Sequence, residues 1–334
     1  MQPTSTPRRR SRLRSALLVG SSAVALVAGW TTLAYRADLQ RHQQRLATLG
    51  SRMVDTRCGA IELAEAGPRN GLPLLMIHGS GGGVDQGLLL GADFAARGLH
   101  VIAPSRMGYL RTPYPADGDA SGERQADQLA CLLDALGVAR AAVMGVSAGG
   151  VPALHFAVRH PQRTMALVLM VPAVHRPDPA VPTPGWALRL LDASLSSDLP
   201  FWLLGRIAPD AARRLVLATP TAVYQAASAE ERQRADAMLD AILPVSARRL
   251  GLLNDSRLTT NASRVALESI NAPTLCISAR DDGYGTYASA EYSAAQIKGA
   301  RFLSFEQGGH MLLGHQGEVV DAVLQLIGEA SGPR

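Results

Sequence analysis

The sequence predicts a domain of the α/β class, with a mostly parallel central sheet, helices on both faces and an inserted helical block. Short apolar runs alternate with helical patterns over residues 57–171 and again over 272–330, as in strands joined by crossover helices. Between these segments, over 172–271, helical stretches follow one another without a strand pattern. A block of about a hundred residues is too long for a loop, so we expect it to form a cap on the core.

Each strand is predicted from its pattern of apolar residues. Gly59–Ala66 alternates apolar and polar residues, which is typical of a half-buried strand near a sheet edge. Leu72–Ile77 is apolar throughout, which favours a central strand covered on both faces. The other predicted strands are His100–Ala103, Ala141–Val146, Met165–Val171, Ala272–Ser278 and Arg301–Phe305.

The helices are predicted from apolar residues that recur every three or four positions, with prolines and glycines at their ends. In the core we expect them over Gln86–Arg97, Asp119–Leu136, 148–160, Thr286–Ile297 and Val319–Gly328. In the cap we expect them over Trp186–Leu195, Phe201–Ile207, Asp210–Leu217, Glu230–Leu243 and Val245–Leu253.

The positive charge of the chain is concentrated at its N-terminus. Residues 1–46 contain eight arginines and one aspartate, so this segment accounts for the net charge of +5. The rest of the chain is slightly acidic, which excludes a basic nucleic-acid-binding surface on the folded body. We therefore predict no nucleic-acid partner.

An uncharged run of 21 residues, 15–35, follows a basic tail at 1–14. As a helix it would just cross a hydrocarbon core of about 30 Å. It is longer than the apolar region of most signal peptides and lacks a small-residue cleavage pattern at its end. We therefore predict a single-pass membrane anchor, with the body outside the cytoplasm and residues 36–56 as a stalk. The alternative is a cleaved signal and a secreted body.

The three cysteines, Cys58, Cys131 and Cys276, are odd in number and lack the spacing of metal ligands. Each lies in an apolar stretch, so we predict small buried hydrophobic residues without a disulfide framework. The sequence contains no cluster of ligating residues, and we predict neither a metal ion nor an organic cofactor.

A serine between glycines lies where a predicted strand meets a predicted helix. The motif GVSAG at 145–149 lets the backbone turn sharply enough to expose the serine above the sheet edge. Ser147 is therefore the candidate nucleophile. A bare match of this kind also occurs in ordinary loops, so the prediction depends on the strand, the helix and suitable partners elsewhere in the chain.

A glycine-rich loop, HGSGGG at 78–83, follows another predicted strand. It lacks the lysine of a phosphate-binding P-loop and the spacing of a dinucleotide-binding motif. Its flexible backbone is suited to turning amides toward a developing negative charge. We predict an oxyanion hole formed by the backbone N–H groups of Ser80 and Ala148.

A serine hydroxyl needs a base to remove its proton, and a histidine base needs a carboxylate to orient it. His310 follows the last predicted strand, and Asp281 and Asp282 follow the strand before it. These residues supply the three groups in the order serine, aspartate, histidine.

With HGSGGG, GVSAG, SARDD and GGH in this order, residues 59–330 resemble enzymes of the α/β-hydrolase fold that carry a helical cap. The resemblance implies the triad order Ser–Asp–His and an oxyanion hole of backbone amides. It also implies that the acid is Asp282 rather than Asp281, and that the base is His310 rather than His315. Serine at position 147 argues against relatives with an aspartate nucleophile, such as epoxide hydrolases and haloalkane dehalogenases.

These features together predict a carboxylesterase-like serine hydrolase with the catalytic residues Ser147, Asp282 and His310. We expect its substrate to be a small, apolar ester or related acyl compound. Aminopeptidase, C–C hydrolase and perhydrolase chemistry remain alternatives within the same fold. A different class, a membrane-anchored binding protein that retains the fold without turnover, is also open, although a binding protein has no need of all three groups.

Overall fold

The computed structural model describes the backbone of residues 8–176, 184–260 and 263–332, and the side chains of these ranges from residue 25 onward. The chain divides into two compact units, Met1–Arg45 and Leu46–Arg334. The core and the cap belong to the same unit.

The N-terminal unit is described as part of one long helix, α1 (Arg8–Thr48), which covers the run expected to cross a membrane. Side chains 15–24 of that run lie outside the described residues. Within the described part of the chain, no helix has both the length and the hydropathy needed to cross a membrane. The predicted anchor is therefore not supported.

The second unit contains a sheet of eight strands, in the order β1-β2-β4-β3-β5-β6-β7-β8. The β1–β2 and β2–β4 pairs are antiparallel, and the other neighbouring pairs are parallel. The strands are β1 (Arg52–Thr56), β2 (Gly59–Ala66), β3 (Pro73–Ile77), β4 (His100–Pro104), β5 (Ala141–Val146), β6 (Thr164–Met170), β7 (Thr274–Ala279) and β8 (Arg301–Phe305). The predicted fold class is confirmed.

Residues 36–56 are not a separate stalk. Residues up to Thr48 continue α1, and Arg52–Thr56 form β1, which pairs with β2 over its whole length. The sheet therefore begins before residue 57. β1 has only five residues, and only Val54 among them is buried. Its sequence therefore lacks the alternation of apolar and polar residues by which a strand is predicted.

Helices cover both faces of the sheet because successive residues of each strand point to opposite sides. Leu75 and Ile77 of β3 pack in one hydrophobic cluster, and Leu74 and Met76 pack in the other. The core helices are α2 (Val84–Ala96), α3 (Gly122–Ala135), α4 (Gly150–Arg159), α11 (Thr286–Gln296) and α12 (Gln316–Ser331). Helices α3, α4 and α11 contribute to the first cluster, and α2 and α12 contribute to the second.

The block between β6 and β7 is helical in its described residues, as expected. Its helices are α5 (Gly185–Leu195), α6 (Leu199–Ile207), α7 (Pro209–Val216), α8 (Thr221–Ala226), α9 (Ala229–Asp240) and α10 (Arg249–Thr260). A third hydrophobic cluster joins this cap to the core, since it contains Met238 and Ile242 together with Leu313, just before α12. Of these helices only α8, a short one, was not predicted.

The prediction that all three cysteines are buried and unpaired is wrong for two of them. Cys58, in the turn between β1 and β2, and Cys131, on α3, form a disulfide with their Cα atoms 6.0 Å apart. Cys276 is free and buried in β7, and burial raises the pKa of its thiol to about 12. The 73-residue separation of the bonded pair conceals their proximity, which arises when α3 packs beside β1.

This pairing gives a measurable thiol count. We expect one alkylatable thiol in the unfolded, unreduced chain, at Cys276, and three after reduction. Mass spectrometry of peptides alkylated before and after reduction measures both counts. Three alkylated cysteines in a chain prepared under oxidising conditions would contradict the disulfide.

Candidate active site

The candidate nucleophile lies in a sharp turn at the end of a central strand. β5 is flanked by β3 and β6, and Ser147 follows its last residue with a φ of 53°. A side chain at Gly149 would overlap the carbonyl oxygens of Ile77 and His78, so the start of the following helix can pack on β3 only with glycine there. The turn has the strained backbone that raises a nucleophile above a sheet edge.

The two neighbouring aspartates after β7 have different partners. Asp282 Oδ2 lies 2.7 Å from His310 Nδ1, and its side chain is fully buried. Asp281 instead accepts hydrogen bonds from the backbone N–H groups of Gly309, at 2.8 Å, and Gly308, at 3.3 Å. Asp282 thus contacts the candidate base, while Asp281 holds the glycine turn before that base.

The environment of Asp282 favours its ionised form. Burial acts to raise the pKa of Asp282. The charge and hydrogen bond of His310, together with two other hydrogen-bond donors, outweigh this effect and lower the pKa. These donors are the hydroxyl of Thr286, on Oδ2, and the N–H of Tyr284, 2.8 Å from Oδ1. The pKa of Asp282 is therefore below its ordinary value, and at neutral pH the carboxylate accepts a hydrogen bond from His310 Nδ1. In the neutral ring, the hydrogen is therefore assigned to Nδ1, and Nε2 carries none and can accept a proton.

Ser147 and His310 line the same cavity without a hydrogen bond between them. Contacts of this kind are often long in unliganded enzymes and shorten when substrate binds. The structure therefore brings together the predicted acid and base directly, and the predicted nucleophile through the shared cavity.

Some backbone N–H groups in and beside the loop at 78–83 have acceptors and others do not. The N–H groups of Gly79, Gly82 and Val84 donate to Gln86 Oε1, Gly79 O and Ser105 Oγ respectively. The N–H groups of Ser80 and Gly83 have no acceptor among the described residues. Ala148 lies in the 3-10 turn that begins at Ser147, and N–H groups at the start of such a turn lack a partner within it. Ser80 lines the same cavity as Ser147, and Ala148 is the residue directly after Ser147.

Tyr284 connects the loop of Asp282 to the cap. Its ring packs edge-on against His310, with centroids 4.9 Å apart. Its hydroxyl donates to the carbonyls of Leu215 and Val216, at the end of α7, at 3.2 and 2.9 Å. Partial burial and the charge of Asp282 raise the pKa of Tyr284 to about 12, so the hydroxyl stays a donor at neutral pH.

The cavity beside these residues has a volume of about 520 Å³ and lies between the sheet and the cap. Its wall is mainly apolar, with contributions from Leu90, Phe94, Met144, Met170, Met238 and Ile242. A cavity of this size and character suits a small organic molecule. The described residues contain no group of three or more histidine, cysteine or acidic side chains arranged to hold a metal ion.

His315, the other histidine near the end of the chain, has a structural environment. It precedes α12, stacks on Phe305 with centroids 3.9 Å apart, and its Nε2 lies 3.0 Å from Gln307 O. It does not contact either aspartate of the Asp281–Asp282 pair.

The sequence of the chain matches the family model described as alpha/beta hydrolase fold over residues 73–314. The chain belongs to the α/β-hydrolase-fold family. Among curated proteins, a 2-hydroxymuconate semialdehyde hydrolase of Pseudomonas putida is 41% identical over 101 residues, 30% of this chain and 36% of that protein. A 2-hydroxy-6-oxo-6-phenylhexa-2,4-dienoate hydrolase of Burkholderia cepacia is 34% identical over 115 residues, 34% of this chain and 40% of that protein. The matched part thus spans less than half of these relatives.

Solved structures resemble this α/β-hydrolase-fold chain over a larger share of its length. An alpha/beta hydrolase fold protein from Nakamurella multipartita has a TM-score of 0.64 at 28% identity, and the match covers 85% of this chain and 100% of that one. A meta-cleavage product hydrolase, CumD, has a TM-score of 0.59 at 19% identity over 83% of this chain. The second likeness shows the fold alone.

Sequence reasoning missed several residues that form hydrogen bonds around the candidate site of this hydrolase-fold protein. Thr286 bonds the candidate acid, and Arg106, Tyr109 and Asp255 form a buried polar cluster under the 78–83 loop. Arg106 lies in the loop after β4, and nothing in the sequence identified its partner. Asp255 is 149 residues away on a cap helix.

Proposed function

We propose that this α/β-hydrolase-fold protein is a serine hydrolase of esters or related acyl compounds. The proposal rests on one observation above all: His310, which is paired with the buried Asp282, and Ser147, on its strained turn, line one cavity. The carboxylate fixes the tautomer of the histidine, and the histidine activates the serine.

In the proposed reaction, Ser147 Oγ attacks the carbonyl carbon of the substrate while His310 Nε2 takes the serine proton. The N–H groups of Ser80 and Ala148 stabilise the negative oxygen that forms. Collapse of this intermediate breaks the bond to the leaving group, which takes the proton from His310. Water, deprotonated by the same histidine, then attacks the acyl-enzyme and releases the acid and free Ser147.

The cavity supports a small and mainly apolar substrate. Methionine and other aliphatic side chains form much of its wall, and flexible methionines adapt to differently shaped ligands. At about 520 Å³ it is in the range of sites that bind single small molecules.

The test is covalent labelling followed by turnover. We expect a fluorophosphonate to modify Ser147 and no other residue, as identified by peptide mass spectrometry. A panel of p-nitrophenyl esters of increasing acyl length should then give a maximum in kcat/KM at short or medium chains. A folded protein that is neither labelled nor active would favour the alternative of a non-catalytic binding protein.

The relatives favour a second candidate, hydrolysis of a carbon–carbon bond beside a carbonyl group. Both curated relatives are hydrolases of unsaturated oxo acids or semialdehydes by name, and they share 41% and 34% identity with parts of this chain. A substrate of that class, followed by loss of its absorbance, belongs in the same panel. Turnover of the oxo acid at a kcat/KM far above that of every ester would replace the ester proposal with this one.

We also propose that the body of the protein works outside the cytoplasm. The Cys58–Cys131 disulfide supports this location, because disulfides persist mainly in oxidising compartments. Fractionation of cells with rapid alkylation of free thiols tests it. Recovery in the cytoplasmic fraction with both cysteines alkylated would contradict the proposal.

A further inference from the structure

A buried ion pair joins the loop after β4 to the cap. The side chains of Arg106 and of Asp255, on α10, are 1% and 2% exposed. Arg106 Nη1 donates to Asp255 Oδ1 at 2.7 Å, and Nη2 donates to Oδ2 at 2.5 Å. Two buried charges are tolerated only with good geometry and further hydrogen bonds, so we expect the pair to hold one arrangement.

The same guanidinium holds the loop that carries Ser80. Arg106 Nε donates to His78 O at 2.9 Å, and Nη2 also donates to Gly79 O at 3.2 Å. His78 Nδ1 adds a second hydrogen bond to Gly79 O at 2.7 Å, and its Nε2 accepts the backbone N–H of Arg106. Burial and the charge of Arg106 lower the pKa of His78 well below its ordinary value, so the ring is neutral with its hydrogen on Nδ1.

These contacts determine the direction of the Ser80 N–H. The Gly79 carbonyl and the Ser80 N–H belong to one trans peptide plane and point in opposite directions. Because the carbonyl is held by Arg106 and His78, the N–H points in the opposite direction, away from these two side chains. The loop is also close to the nucleophile, since a Cβ built on Gly79 would lie 3.0 Å from Ser147 Cβ.

Asp255 binds the side chain of Ser80. Its Oδ2 accepts hydrogen bonds from Ser80 Oγ at 3.0 Å and from the hydroxyl of Tyr109 at 2.5 Å. The hydroxyl of Ser80 is therefore occupied by this cluster, while its N–H has no acceptor among the described residues.

We propose that Arg106 and Asp255 are positioning residues that aim the Ser80 N–H at the oxyanion of the reaction. The inference rests on the proposed function, because it assigns these residues a part in that chemistry. It also gives the cap a role in catalysis, since Asp255 belongs to cap helix α10 and the loop belongs to the core.

The test compares Arg106→Lys and Asp255→Asn with a matched control. Lysine keeps the charge beside Asp255 but cannot also donate to the carbonyls of His78 and Gly79.

The control is Asp85→Asn, because Asp85 and Arg248 form a second core-to-cap ion pair that is 1% and 0% exposed. Arg248 reaches Gly82 O rather than the 79–80 peptide. For each folded variant we would measure the melting temperature, kcat, KM and the inhibition constant of an aryl trifluoromethyl ketone, which forms an oxyanion on the serine.

We expect Arg106→Lys and Asp255→Asn to lower kcat by roughly ten- to a hundredfold and to weaken the ketone by a similar factor, with KM within about threefold. Asp85→Asn should lower the melting temperature comparably but leave kcat within about threefold. If the charge variants do not fold, Ser80→Ala serves instead: it removes one contact to Asp255, keeps both charges and should lower kcat about three- to tenfold.

Two outcomes would overturn the inference. One is a folded Arg106→Lys or Asp255→Asn enzyme, or its Ser80→Ala substitute, with wild-type kcat and ketone affinity. The other is that Asp85→Asn loses as much kcat and ketone affinity as Arg106→Lys and Asp255→Asn do for a similar fall in melting temperature. Fluorophosphonate labelling of wild-type Ser147 separates these results from a failure of the proposed function, because a protein that is not labelled fails at that earlier step.

Discussion

Replacement of Ser147 by alanine is expected to lower kcat by on the order of a thousandfold or more, because no other group can form the acyl-enzyme. The folded protein should change little. Ser147 Oγ makes no hydrogen bond to another described residue, so its loss leaves no buried partner without a bond. We expect the melting temperature to stay within about 2 °C of the wild-type value. Ester hydrolysis and thermal unfolding, measured on the same preparation, check both statements.

The control for this variant is Ser269→Ala. The Ser269 hydroxyl bonds locally to Ala266 O, in an exposed 3-10 turn before β7, and lies outside the cavity. It should retain wild-type activity and fluorophosphonate labelling, whereas Ser147→Ala should lose both. Turnover by Ser147→Ala at more than about a tenth of the wild-type rate would show that another residue or water performs the attack.

The second large effect is expected for Asp282→Asn, with kcat lower by roughly a thousand- to ten-thousandfold. Asparagine is similar in size but uncharged, and its amide group favours the wrong tautomer of His310. Because the pKa of Asp282 lies below its ordinary value, its charge contributes to stability at neutral pH, and this contribution is lost as the pH falls through the lowered pKa. Assays between pH 6 and about 8 therefore compare a fully ionised carboxylate with a neutral amide.

Asp281→Asn is the matched control for that position. Its carboxylate holds the N–H groups of Gly308 and Gly309, not His310, and an asparagine oxygen can still accept at least one of them. We expect kcat within about tenfold of wild type and some loss of stability. An inactive Asp281→Asn beside an active Asp282→Asn would exchange the roles assigned to the two residues.

The cap contributes to both halves of the candidate site. On the side of the candidate triad, Tyr284 packs on His310 and bonds the carbonyls at the end of α7, and Gly283 N–H donates to Ala218 O at 3.0 Å. On the side of the 78–83 loop, Asp255 of α10 binds Arg106 and Ser80. A movement of the cap that admits substrate would therefore disturb the geometry of both halves.

Local patterns in the sequence were sufficient for much of the fold. Three strands, Gly59–Ala66, Ala141–Val146 and Arg301–Phe305, have the bounds predicted from their apolar residues, and the helical nature of the cap followed from the lack of strand patterns. The glycine motif placed Ser147 at the end of a strand. These features depend on residues within a few positions of one another, so periodicity and turn chemistry identify them.

Contacts between distant residues account for what the sequence left out or predicted wrongly. The Cys58–Cys131 disulfide joins residues 73 apart, and the short edge strand β1 is recognisable only through its pairing with β2. The choice between Asp281 and Asp282 followed from a resemblance; the contact with His310, 28 residues later, depends on how two loops meet at the sheet edge.

By itself, the sequence determined the α/β class, the turn that carries Ser147 and the order of serine, aspartate and histidine along the chain. Only the tertiary structure decided which carboxylate touches His310, and that Arg106 and Asp255 hold the loop of Ser80. The physical reason is that a buried charge must find its partner in space. The partner's position in the chain is set by the packing of the cap on the core, for which a local pattern carries no signal.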